Sequence, residues 1–145
     1  MDVIVDDHVL VQTLLDQEPP GLRAPGARIF TTGLWYLRLC RAVSNPAVTG
    51  ALSRRLRRAS PSVASSAAQA ITALPETIGL MSLRDLAWPM AQLLNDGVRL
   101  NLMSLEALAA ANRHDAELCL ATTDENPQLL SAAASRGIPT RLIDV

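Results

Sequence analysis

The chain has 145 residues, of which 49% are hydrophobic and 3% aromatic, and its formal net charge is −1. This length and apolar content predict a single domain spanning residues 1–145 with a full core, and they exclude a disordered chain. The small net charge excludes steering of nucleic acid by the whole molecule, so any such binding needs a local basic patch.

The two cysteines, Cys40 and Cys119, both lie in apolar runs. We expect them to be reduced, small core residues, because neither has the spacing of a metal-binding pair. The first residues are acidic and lack the basic start of a signal peptide. No apolar run approaches the roughly 18 residues of a membrane span. A cytoplasmic protein without a membrane segment is therefore expected.

The first half of the chain begins with a short β-branched run, which is typical of a strand. An acid, Asp6 or Asp7, is expected to cap the helix that follows it. Asn45-Pro46 ends a later helix, since the residue before a proline disfavours helical geometry. The predicted elements are strands Val3–Val5 and Arg28–Thr31, and helices His8–Leu15, Gly33–Val43, one from Thr49 or Gly50 that ends at Ser60-Pro61, and Ser62–Leu74.

The second half continues the alternation of strands and helices. Pro89 is expected to kink its helix. Pro127 is expected to open the last helix and Gly137 to end it. The predicted elements are strands Thr77–Met81, Leu118–Ala121 and Thr140–Ile143, and helices Leu83–Leu94, Ser104–Arg113 and Gln128–Arg136.

The predicted strands are short and almost wholly apolar, which is typical of strands that are covered on both faces. Their alternation with helices predicts the α/β class. We expect a three-layer α/β/α sandwich with a short, mostly parallel central sheet.

Three acids are predicted at the end of this sheet where ligands bind in parallel α/β folds. Asp6 follows the first strand and Asp124 follows the fourth, while Glu106 lies in the opening turn of the preceding predicted helix. Clustered carboxylates repel one another unless a cation joins them, and oxygen ligands suit Mg²⁺ or Mn²⁺. A metal ion held there would activate water for phosphodiester hydrolysis.

Each acid also has a simpler interpretation. For Asp6 the simpler interpretation is a plain N-cap, and for Glu106 it is an acid that the helix dipole favours without any ligand. Asp124 could cap the turn before Pro127. His8 and His114 have no partner at ligand spacing, so both are expected at the surface or at a cap.

Five short segments follow one another along the chain: VIVD at 3–6, IFTT at 29–32, EALAAA at 106–111, ATTD at 121–124 and GIPTRLI at 137–143. In this order they resemble the PIN domain, the fold of VapC-type toxin ribonucleases. The resemblance implies a Mg²⁺- or Mn²⁺-dependent endoribonuclease in which Asp6, Glu106 and Asp124 are catalytic and bind the metal, with Thr122 and Asn126 as accessory residues. It also implies RNA as substrate, a cognate antitoxin and a homodimer.

The chain departs from this family in the helix after the second strand. The family usually has a glutamate there, whereas Leu37 or Arg38 stands near that position. An arginine would repel a metal ion and could pair with Asp6 or Glu106. A nuclease then needs a substitute ligand, such as Asp7, Asp2 or Asn126. The alternative is a catalytically inactive PIN-like module that binds RNA or protein.

Two further patterns concern partners. Arg54, Arg55, Arg57 and Arg58 form a basic helix face, which is either solvated or contacts RNA phosphates. Apolar residues at helical spacing predict a core or a subunit interface, and we expect a homodimer; they are Trp35, Tyr36, Leu39 and Val43. A receiver-like or flavodoxin-like domain is a weaker alternative, because receivers need a late lysine and this chain has none.

Overall fold

The structure is a computed structural model that describes residues 1–45 and 50–145. Pro46 and Thr49, which the sequence places at a helix end and a helix start, lie outside these residues. The helices are α1 Asp7–Leu14, α2 Gly33–Ser44, α3 Ala51–Arg58, α4 Pro61–Thr72, α5 Leu83–Asn95, α6 Leu102–His114 and α7 Pro127–Ser135, and the strands are β1 Val3–Val5, β2 Ile29–Thr32, β3 Ile78–Met81, β4 Glu117–Ala121 and β5 Thr140–Ile143.

The strands form one sheet in the order β3-β2-β1-β4-β5, and every pairing is parallel. β1 lies at the centre, with Val5 opposite Cys119 of β4. The carboxyl ends of β1 and β4 are therefore neighbours, which brings the segments after these strands to one place.

Side chains of the central strands alternate between two cores, as the pleat of a strand requires. Ile4 packs on one face with α5, α6 and α7. Val3 and Val5 pack on the other face with α1 and α4. The predicted three-layer α/β/α fold is therefore confirmed. The cysteines are both free, Cys119 fully buried and Cys40 half-buried.

α2 contributes to both cores. Trp35 is buried on the side of α6, and Leu39 is buried on the side of α1. The Tyr36 hydroxyl donates to the Ile71 carbonyl at 2.5 Å. Trp35, Tyr36 and Leu39 therefore contact the protein's own core, whereas Leu37 is exposed.

Among the residues described, no helix has both the length and the apolar character needed to cross a membrane.

Candidate functional site

A cleft of about 500 Å³ lies at the carboxyl ends of β1 and β4. Asp6 follows β1 directly, and Asp124 ends a short 3₁₀ turn, Thr122–Asp124, that follows β4. The cleft is lined by polar residues from four segments, including Asp6, Arg38, Ser104, Asp124 and Asn126.

Asp6 uses both carboxylate oxygens to hold backbone. Its Oδ1 accepts from Val9 N at 2.8 Å and so caps α1, while Oδ2 accepts from Ala121 N at 2.8 Å. The side chain is almost fully buried, and this burial raises its pKa to about 6, against the effect of the two amides and with help from the nearby charges of Asp7 and Asp124. Asp6 therefore joins the start of α1 to the end of β4. It acts as the predicted N-cap, and Asp7 does not.

Arg38 supplies the positive charge of the cleft. Its guanidinium binds Asp7 through two nitrogens, with Nη2 at 2.5 Å from Oδ1 and Nε on Oδ2, and Nη2 also donates to Asp124 at 2.6 Å. The Asp7 side chain is 0% exposed, and that of Arg38 is 33% exposed. The hydrogen bond to Asp7 raises the pKa of Arg38 despite partial burial, and Asp124 adds to this. The positive charge of Arg38 thus joins the carboxylates of Asp7 and Asp124, which would otherwise repel each other.

The expectation that Arg38 pairs with Asp6 or Glu106 was wrong. Asp6 directs its two oxygens at backbone amides, and among the described residues no hydrogen bond joins it to Arg38. Asp7 lies in the first turn of α1, which packs against α2. The charged groups therefore meet between these two helices.

Glu106 lies at a different point, the start of α2. It is 0% exposed, its Oε1 accepts from Leu34 N at 3.1 Å, and its Oε2 has no partner among the described residues. A Cβ placed on Gly33 would lie 3.5 Å from Oε1, so the helix start closely approaches the carboxylate. Helix N-termini favour negative charge. Glu106 therefore stabilises α2.

The predicted position of Glu106 within its own helix was wrong. α6 begins at Leu102, with Asn101 as its N-cap, and its first turn contains no acid. Glu106 is in the second turn. The capping amide of Asn101 was the local signal for this earlier start.

Within the described parts of the chain, one group of side chains has the spacing of a metal site. Ligand atoms of Asp7, His8 and Asp124 all lie within 4.8 Å of one another, so this group could hold a metal ion. His8 is 7% exposed, and its Nδ1 has no hydrogen-bond partner in the described part of the chain. Burial lowers the pKa of His8. Its expected surface position was wrong, because α1 turns it inward beside Asp7.

The three acids predicted to share a metal do not form such a group among residues 1–45 and 50–145. Asp6 holds two amides, Glu106 holds the start of α2, and Asp124 pairs with Arg38. The acid set implied by the family resemblance therefore does not fit a shared Mg²⁺ or Mn²⁺ in this arrangement.

The accessory residues have structural partners. Thr122 Oγ1 donates to Asp144 at 3.0 Å. Asn126 caps α7 by accepting from Leu129 N, and it donates to Ser104 Oγ at 2.7 Å. Asp2 precedes β1, at the opposite end of the strand, and binds Arg28. Asp2 is therefore not a substitute ligand in the cleft.

The basic residues of α3 differ in exposure. Arg54, Arg57 and Arg58 are exposed, whereas Arg55 is half-buried. Arg55 Nη1 donates to the His8 carbonyl at 3.2 Å, and burial lowers its pKa. Arg55 therefore connects α3 to the start of α1.

Comparison with known protein families finds no family model that matches the chain, and no curated protein matches it.

Sequence reasoning missed two features of this site. The first is the position of Arg38 between two acids. Arg38 binds Asp7, which is 31 positions away in the sequence, and Asp124, which is 86 positions away. The second is the group of Asp7, His8 and Asp124. Asp7 and His8 are adjacent in the sequence, but only the pairing of β1 with β4 brings Asp124 close to them.

Proposed function

We propose that this chain is a PIN-like RNA-binding module without metal-dependent nuclease activity. One observation carries the proposal: Arg38 binds both Asp7 and Asp124, where a metal ion would have to bind. The PIN resemblance supplies the family and RNA as the partner class, and the parallel α/β fold is consistent with it.

A metal ion would have to displace a bidentate ion pair to enter this cleft. Asp7 is fully buried, and burying a carboxylate without a cation is costly, so Arg38 is held tightly. A guanidinium does not lower the pKa of a bound water as a metal ion does. The cleft therefore lacks the group that would activate water for attack on phosphate.

RNA is the favoured partner because α3 presents exposed arginines on one face, Arg54 and Arg58. Arginines bind phosphate groups through paired N–H donors. Since the net charge is only −1, this local patch would provide the attraction to a polyanion.

A metal-dependent endoribonuclease is the second candidate. The observation that favours it is the spacing of Asp7, His8 and Asp124, within 4.8 Å. If substrate or metal moved Arg38 aside, this group could hold Mg²⁺ or Mn²⁺. The bound metal ion would then activate water and stabilise charge on the phosphate.

The two candidates differ in cleavage and in metal dependence. The purified chain is incubated with a mixed pool of labelled single-stranded RNA, with Mg²⁺, with Mn²⁺ or with EDTA, and both binding and fragments are measured. We expect binding that EDTA does not alter, that weakens between about 50 and 200 mM salt, and that yields no fragments.

An Asp124→Asn variant, purified identically, controls for contaminating nucleases. Fragments that require metal and disappear in this variant would establish the nuclease instead. Absence of RNA binding at the lowest salt would overturn both candidates.

The homodimer and the antitoxin remain predictions. Trp35 and Leu39 are buried within the chain, so a dimer through α2 would have to use other residues, such as the half-exposed Leu37. Light scattering that gives the mass of one chain would contradict the dimer.

A further inference from the structure

We propose that α1 and α3 form a specific phosphate-binding pocket, separate from the acidic cleft. The inference rests on the proposed RNA-binding function and states which residues receive the phosphate. A cavity of about 550 Å³ lies between these helices. Its polar side chains are Arg54, Arg55, Arg58, Gln12 and Gln17.

Arg54 and Arg58 have no ion-pair partner among the described residues, whereas Arg55 is close enough to Asp6 to interact with its charge. Arg54 and Arg58 are four residues apart, one turn of α3, so they share a face. Within the described ranges neither takes part in an ion pair or a side-chain hydrogen bond, and no Asp or Glu side chain lines the cavity. Three guanidinium groups around one space repel one another, and an anion between them would reverse that repulsion.

Arg55 is fixed in place by its hydrogen bond to the His8 carbonyl. It is half-buried, so one of its faces is already desolvated before an anion arrives. A positioned guanidinium loses little side-chain freedom on binding, which favours affinity.

Gln12 adds a neutral donor to the cavity, which its side chain lines. Its Oε1 is buried without a partner among the described residues, so this oxygen does not face the cavity. The NH₂ group of the same amide would donate to a phosphate oxygen.

Arg57 does not belong to this pocket, although the sequence grouped all four arginines together. It lines a different and mainly apolar groove, with Val43, Leu56 and Ala64. The basic face of α3 is therefore divided. Arg57 gives a control with the same residue type, helix and exposure but a different location.

Pyrophosphate is the direct probe, because it carries the charge and oxygens of phosphate without a base or a sugar. Its binding to the full chain is measured by calorimetry and by shifts of the amide resonances of α1 and α3. We expect saturable binding that Arg54→Ala and Arg58→Ala each weaken about tenfold. Arg57→Ala should leave the affinity unchanged.

Gln12→Glu keeps the shape of the side chain and adds a negative charge to the pocket. We expect it to weaken pyrophosphate at least as much as Arg54→Ala. Equal losses for Arg57→Ala and Arg54→Ala, or no binding by the wild type, would overturn the pocket. Folding of each variant is checked by circular dichroism.

The RNA titration separates this inference from the proposed function. If RNA binds the wild type and Arg54→Ala equally well, the pocket is wrong and the RNA-binding function stands. If the pocket receives an RNA phosphate, Arg54→Ala should weaken RNA binding and reduce its dependence on salt by about one contact, whereas Arg57→Ala should not.

Discussion

At the scale of single residues, Arg38 determines the chemistry of the acidic cleft. Its replacement by alanine leaves Asp7 buried at 0% exposure without a cation. We expect Arg38→Ala to lower the free energy of unfolding by roughly 3 kcal/mol, near the lower end for a broken buried pair because Arg38 is itself a third exposed. Urea unfolding at neutral pH measures the change.

Arg41→Ala is the matched control for this prediction. Arg41 lies on the same helix but is exposed in its last turn. Its loss should cost only about 0.3–1 kcal/mol, through the helix dipole. Similar losses for the two variants would contradict the special role of Arg38.

The buried carboxyl of Asp6 should make stability depend on pH. Its pKa in the folded protein, about 6, lies above its ordinary value of 3.8. The folded state therefore holds this proton more tightly than the unfolded state does. The contribution of Asp6 to stability is fully present below pH 3.8 and is lost as pH rises through 6, on the order of 2–3 kcal/mol in all.

Asp6→Asn removes this titration. Urea unfolding of both proteins at intervals from about pH 4 to about pH 7 should show the stability difference, wild type minus variant, falling as pH rises. The lowered pKa of His8 acts in the opposite direction, but both proteins contain His8, so the difference isolates Asp6. A difference that rises with pH would contradict the buried, protonated Asp6.

Residue-scale partners were the least predictable part of the site. The positions of Asp6 and Asp124 beside one cleft could be predicted, since both follow strands of a parallel sheet. The partners of Arg38 could not be predicted. Asp6 binds two backbone amides instead, and these bonds depend on how α1 and β4 are placed relative to each other.

At the scale of elements, composition and turn residues located the strands and helices well. The strands needed only short apolar runs, and Pro127 opens α7 as expected. The start of α6 was placed two residues late, because Asn101, whose side chain accepts from Ser104 N, was not recognised as its N-cap. That difference moved Glu106 from the first turn to the second.

The start of α2 should depend on the Glu106 carboxylate. Glu106→Ala removes the acceptor of Leu34 N–H in a buried place, which we expect to cost about 1–3 kcal/mol. Hydrogen exchange at the Leu34 amide should speed up in this variant. Glu106→Gln keeps an acceptor oxygen and should protect that amide nearly as well as the wild type.

Glu76→Ala serves as the control, because Glu76 is exposed. Unchanged exchange at Leu34 in Glu106→Ala would show that the carboxylate does not hold the helix start.

At the scale of the whole molecule, the fold class followed from alternation of elements but the strand order did not. The order β3-β2-β1-β4-β5 depends on how the helices pack on the two faces of the sheet. The alternation of elements along the chain does not specify that packing. This strand order makes β1 and β4 neighbours and so brings Asp7 and Asp124 to the same nitrogen of one guanidinium. The cleft is therefore a product of topology more than of any single motif.

The central claim is that Arg38 stands in the place of a metal ion. Calorimetric titration of Mn²⁺ into the wild type and into Arg38→Ala tests it most directly. We predict no binding to the wild type, and one site in Arg38→Ala that disappears when His8→Ala is added, because Asp7, His8 and Asp124 then become free to bind metal. Binding of Mn²⁺ to the wild type at this group, lost on replacing Asp7 or Asp124, would contradict the claim.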